Sequence, residues 1–101
     1  MTKTLLALYR TPPDPAAFHA HYNAVHLPLV HLIPGLVRAE VTMIDRTLMG
    51  DPGAYMLATL VFADEASFRT AMKSPENAAV GADLANFATG IVTIMTGTVQ
   101  D

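Results

Sequence analysis

The run Tyr55-Met56-Leu57-Ala58-Thr59-Leu60-Val61-Phe62 constrains the fold more than any other stretch of the chain. Side chains of a strand alternate between its faces, so Tyr55, Leu57, Thr59 and Val61 fall on one side and Met56, Ala58, Leu60 and Phe62 on the other. Both sides are largely apolar, as expected of a strand covered on two faces. Residues 91–99 mix Ile, Val, Met and Thr on both faces in the same way. A chain carrying such strands must find cover for two sheet surfaces.

The rest of the sequence supplies cover for one. The apolar run Leu5-Leu6-Ala7-Leu8-Tyr9 ends in Thr11-Pro12-Pro13 and reads as a strand over about residues 4–10. Asp14-Pro15 then pairs an N-cap carboxylate with a proline at the first helical position. In the helix that follows, Phe18, Tyr22, Val25 and Leu29 are expected on one inward stripe, with Pro28 as its end. Leu32-Ile33-Pro34-Gly35-Leu36 reverses the chain into a strand at 37–44, where Val37, Ala39, Val41 and Met43 oppose Arg38, Glu40, Thr42 and Ile44, an alternation suited to an edge. Gly50-Asp51-Pro52-Gly53 is a turn before the strand at 55–62. Asp64 caps a helix to about residue 73, Ser74-Pro75 interrupts it, and 76–87 continues with Ala79, Val80, Ala82, Leu84 and Phe87 inward. Gly90 stops it before the last strand.

The order is strand, helix, strand, strand, helix, strand, without repeats or linkers, so residues 1–101 are expected to form one α+β domain of the ferredoxin-like βαββαβ type with a four-stranded antiparallel sheet. Helices of such a unit cover a single sheet face. At 101 residues a domain buries only about 65% of the surface its unfolded chain exposes. With 51% hydrophobic and 15% charged residues and a mean hydropathy of +0.34, the apolar content exceeds what a monomer of this size readily hides. A two-fold copy of the same sheet is the simplest cover, which predicts a homodimer.

Other classes are disfavoured. No apolar run has the roughly 18 to 20 residues of a membrane span, and the N-terminal run, stopped at Arg10, lacks a small-residue cleavage site, so a cytoplasmic protein is expected. There are no cysteines for disulfides or thiolate chemistry. Nine acids against six scattered bases give a net charge of −3 and no basic stripe for nucleic acid. No glycine-rich phosphate loop or serine triad order emerges. A small apolar metabolite is the expected partner, and no resident cofactor is expected.

The motif Tyr22-x-x-x-His26-x-Pro28-Leu29, followed by Ile33-Pro34-Gly35-Leu36 and a strand with Glu40, resembles the EthD family of the dimeric α/β-barrel superfamily. Phe18, Ser74-Pro75-Glu76 and Asp83-x-x-Asn86-Phe87 extend the resemblance over nearly the whole chain. It implies two ferredoxin-like subunits whose sheets face each other to close a barrel. Its superfamily relatives include lactone isomerases, polyketide cyclases, dehydratases and cofactor-free monooxygenases.

His26 is the first candidate for chemistry, because an imidazole with an ordinary pKa of about 6.5 exchanges protons near neutrality. It matches the family's motif histidine, and its alternative is a helix C-cap. Tyr22, one turn earlier, can donate to a substrate carbonyl or simply fill the core. His31 is a possible third catalytic residue across Pro28. Tyr9, Tyr55, Thr59, Leu29 and Phe87 are the expected ligand-binding residues, the hydroxyls orienting a ligand in an apolar site. His19 and His21 are expected on different faces in solvent, Arg10 and Arg38 as solvated strand-end charges, and the methionines mainly as core packing. No histidine pair has the i, i+4 spacing of a helical metal site, so no metal is expected. The resulting expectation is acid/base chemistry, such as isomerisation, cyclisation or dehydration, on a carbonyl-bearing metabolite, with non-catalytic binding of a hydrophobic ligand as the alternative.

Overall fold

Caps and turns place the element ends close to where their chemistry predicts. The computed structural model describes residues 1–100. Strand β1 (Lys3–Arg10) leads to α1 (Pro15–His21), whose N-cap Asp14 accepts from the Ala17 amide at 3.1 Å. A π-helical turn (Tyr22–His26) and α2 (Leu27–Val30) prolong that helix. Gly35, at φ +79°, turns the chain into β2 (Leu36–Met43), a conformation glycine adopts without steric penalty. Then come β3 (Ala54–Phe62), α3 (Glu65–Met72) capped by Asp64, α4 (Pro75–Phe87) capped by Ser74, and β4 (Val92–Thr98).

The strands form one antiparallel sheet in the order β2-β3-β1-β4. This is the ferredoxin-like α+β arrangement, with β2 and β4 at the edges. The helices pack on one face only, over Ala7, Tyr9, Met56, Ala58, Leu60 and Phe62, all buried. On the other face the register aligns Leu6 with Thr59 and Met95, and Leu8 with Leu57. Those apolar residues are bordered by Arg38, Glu40 and Thr42 of β2. Among the described residues no helix is long and apolar enough to cross a membrane.

Three expectations are corrected inside the helices. Pro28 does not end its helix, which runs on to Val30. A proline has no N–H to donate, and its ring crowds the carbonyl four residues earlier. The widened turn ahead of it, in which the Leu27 amide reaches back five residues to the Tyr22 carbonyl, relieves that crowding. The same turn inserts a residue into the inward stripe. The buried residues are therefore Phe18, Tyr22, His26 and Val30, while Val25 is 40% exposed and Leu29 only partly covered. In α4, Ala79 and Ala82 face solvent, and the buried positions are Val80 and Asp83.

Candidate functional site

A buried carboxylate organises the helical face. Asp83 follows Val80 by three residues on the inward stripe of α4 and lies against the π turn. Its Oδ2 accepts from His26 Nδ1 at 2.9 Å, and its Oδ1 from His21 Nε2 at 2.9 Å and from Asn86 Nδ2 at 3.0 Å. His21 and His26 are five residues apart, which in a regular α-helix would place them about 140° around the axis. The i→i−5 turn between them brings both onto one carboxylate.

Asp83 is ionised and a carboxylate can only accept, so the facing nitrogens of both histidines carry their protons. Burial pushes its carboxyl up, but the hydrogen bonds from Asn86, His21 and His26 outweigh that and hold it below its ordinary value. Burial pushes the His26 imidazole below its ordinary 6.5, and the hydrogen bond and charge of Asp83 pull it only part of the way back. At neutral pH His26 is thus uncharged, with its proton on Nδ1 and a lone pair on Nε2.

That lone pair has somewhere to go. His26 lines a cavity of about 220 Å³ between the sheet and the helices, together with Tyr9, Tyr22, the Asn77 amide and mostly apolar residues from β1, β3, α2, α3, α4 and β4. No buried side-chain nitrogen or oxygen among the described residues lacks a partner, so Nε2, which bonds to none of them, keeps accessible surface on a ring that lines that cavity. Tyr22 lies with its ring 5.4 Å from that of His26, and Tyr9 meets Tyr22 edge to face at 6.0 Å. Burial raises the Tyr22 phenol to about 12, and burial followed by the charges of Tyr22 and Asp83 raises that of Tyr9 further, so both remain hydrogen-bond donors at neutral pH. An imidazole base and two phenols that line one apolar chamber can take a proton from a bound ligand and stabilise the charge left behind.

The cavity collects part of the expected site. His26, Tyr22 and Tyr9 meet in it. Phe87 stands behind them, its ring 4.8 Å from His26 and stacked 5.0 Å from His21, and holds the imidazoles in place rather than lining the chamber. The other expected residues lie elsewhere. His31 is exposed beyond the end of α2, because the prolonged helix carries it away from the sheet. Thr59 faces the opposite side of the sheet, beside Glu40 and Leu6, as strand alternation requires. Tyr55 sits at an irregularity in the β1–β3 register and bonds to His19 Nε2 at 2.7 Å. Leu29 packs on the core edge. His19 and His21, expected in solvent, are both engaged, with Tyr55 and Asp83 respectively.

Asp83 and His21 were not singled out for chemistry from the sequence. The signal for Asp83 is a carboxylate at the i+3 position after Val80 and the i−4 position before Phe87, two stripe residues, where an unpaired charge would be costly. Among the described residues no group of three or more His, Asp or Glu side chains is arranged to hold a metal ion. The facing nitrogens of His21 and His26 are committed to the carboxylate.

Residues 10–91 match the EthD domain. The chain is 43% identical over 88 residues to an uncharacterised 11.0 kDa protein from the thcB-thcC intergenic region of Rhodococcus erythropolis, covering 87% of this chain and 85% of that one. It is similar to the crystal structure of an ethyl tert-butyl ether (EthD) family protein from Bacillus halodurans, with 37% identity and a TM-score of 0.90 over 99% of this chain and 100% of that chain. It shares its fold with SnoaB, a cofactor-independent oxygenase from Streptomyces nogalater, at 19% identity and a TM-score of 0.68 over 99% and 94% of the two chains. The domain match spans most of the sequence, and two relatives exceed a third identity over nearly full length: the chain belongs to the EthD family.

Proposed function

We propose that the chain is a small-molecule enzyme without a resident cofactor, in which His26 moves a proton on an uncharged, carbonyl-bearing ligand. One observation carries this reading: the imidazole is buried, fixed at Nδ1 by Asp83, and lines an apolar cavity. Nε2 removes a proton from the carbon next to the carbonyl. The C–H electron pair becomes a C=C bond, and the carbonyl π pair moves to oxygen, where the hydroxyls of Tyr22 and Tyr9 donate to the enolate. The imidazolium then returns the proton, either to the same carbon or to one further along. Isomerisation, cyclisation and dehydration all begin with this deprotonation, and SnoaB offers a precedent on this fold for chemistry without a cofactor.

Deuterium incorporation tests the reading. Acetophenone and other neutral one-ring ketones incubated with the protein in D₂O should gain deuterium at the carbon next to the carbonyl faster than in buffer, as read by mass spectrometry. Ketones that bind without any exchange above buffer would contradict the acid/base role. That outcome would favour a protein that holds an apolar metabolite for another, a reading supported by the sparse polar lining.

We infer also that the open sheet face packs on a second copy. Leu6, Leu8, Leu57 and Met95 form its centre, and leaving them in water would forfeit about 25 cal/mol for each Å². Sedimentation at micromolar concentration should give the mass of a dimer. A stable monomer would contradict the pairing but not the cavity, whose lining comes from a single chain.

A further inference from the structure

Gly81 occupies the middle of α4, where glycine is disfavoured for its backbone freedom. Its backbone does not require it, since the residue is helical and is not among the positive-φ glycines. Packing does not require it either: nothing lies within 4 Å of where a Cβ would stand. Yet Gly81 lines the His26 cavity and is itself exposed. Ile94 of the edge strand β4 also lines the cavity and is 46% exposed. Of the residues lining the cavity, only these two are exposed.

We infer that Gly81 is a specificity-determining residue: the side chain it lacks leaves the passage between α4 and β4 through which an uncharged ligand of about one ring reaches His26. The inference rests on the cavity being the ligand site of the proposed function. Its ligand class follows from the lining. No Asp, Glu, Lys or Arg side chain borders the cavity, and the Asp83 carboxylate lies directly behind His26. An anion entering would lose its hydration, find no cation and meet that negative charge. The volume of about 220 Å³ lies below the range typical of drug-sized ligands, which limits the occupant to about ten non-hydrogen atoms.

Acetophenone and benzoate, near-isosteric and differing in charge, probe the site by calorimetry and by the shift of the His26 ring signals in NMR. Acetophenone should bind the wild type, and benzoate should bind at least about tenfold more weakly. Gly81→Leu should weaken acetophenone by about tenfold or more, Gly81→Ala by less, with the melting temperature of both variants at or above that of the wild type. Ala82→Leu, next along the helix but outside the cavity, should leave binding unchanged. Acetophenone affinity in Gly81→Leu within about twofold of the wild type would overturn the inference. So would benzoate binding as tightly as acetophenone, or no acetophenone binding to the wild type at millimolar concentration. His26→Gln separates this from the proposed chemistry, because it should retain acetophenone binding and its sensitivity to Gly81→Leu while losing exchange. If the wild type binds but does not exchange, the passage stands and the base role falls. If Gly81→Leu binds and exchanges like the wild type, the reverse holds.

Discussion

Asp83→Ala should destabilise the chain by about 3 kcal/mol, lowering the melting temperature by roughly 12 to 24 °C. The substitution removes the acceptor of three donors at once. The three do not suffer equally. The His21 side chain is 27% exposed and Asn86 faces solvent, so both can turn to water. The His26 side chain is 4% exposed, and its Nδ1–H has no alternative. An orphaned buried donor loses its hydrogen bond to a charged partner and keeps its desolvation penalty. His21→Ala and Asn86→Ala should therefore each cost only about 1 kcal/mol. Urea denaturation with an unchanged m-value measures the series. A loss under about 1 kcal/mol for Asp83→Ala would mean that the carboxylate is not engaged in solution.

His26→Gln should lower the deuterium exchange rate of a bound ketone by a factor of about 10² to 10⁴, the usual contribution of a positioned general base. Glutamine can still donate to Asp83, so the effect falls on chemistry rather than folding. Tyr22→Phe keeps the ring packing against Phe18 and Phe87 and removes only one donor to the enolate, so its effect should be smaller. The wild-type rate should be flat through neutrality and fall in acid, because only the uncharged imidazole accepts a proton. Burial places that fall below 6.5 rather than at it. Stability follows the same sign. As pH drops below 6.5 the unfolded chain takes up its histidine proton before the folded one, so the contribution present above that value is lost as the pH falls through the folded pKa. A rate that rises on acidification would contradict His26 acting as the base.

The elements were legible because their signals are local. Asp14-Pro15, Asp64 and Ser74-Pro75 each place a capping oxygen just ahead of a helix, and Gly35 marks the reversal before β2. The alternation of 37–44 placed that strand at the edge of the sheet, whereas residues 91–99, mixed on both faces like 55–62, form the other edge rather than an inner strand. His26, Tyr22 and Tyr9 were legible through residue type and, for the first two, the family motif. The rest depended on a departure from α-helical period. Counting at 3.6 residues per turn puts Val25 and Leu29 inward, whereas the π turn ahead of Pro28 gives those positions to His26 and Val30. The same count separates His21 from His26 and hides their common partner. Asp83 breaks the apolar stripe of its helix, so the pattern that marks the buried face does not mark it. The selection of Thr59 and Tyr55 had a different cause. Polar strand residues were chosen by type, but the face each occupies depends on a register that includes an irregularity between Tyr9 and Arg10.

In this reading a buried imidazole, held at one nitrogen by Asp83, offers its other nitrogen to the cavity. Long-range ¹H–¹⁵N NMR of the histidine rings at neutral pH tests it without any ligand. His26 should carry its proton on Nδ1 and show an unprotonated Nε2, and Asp83→Ala should abolish this single-tautomer signature. An imidazolium at neutral pH, or a His26 protonated on Nε2 instead, would contradict it.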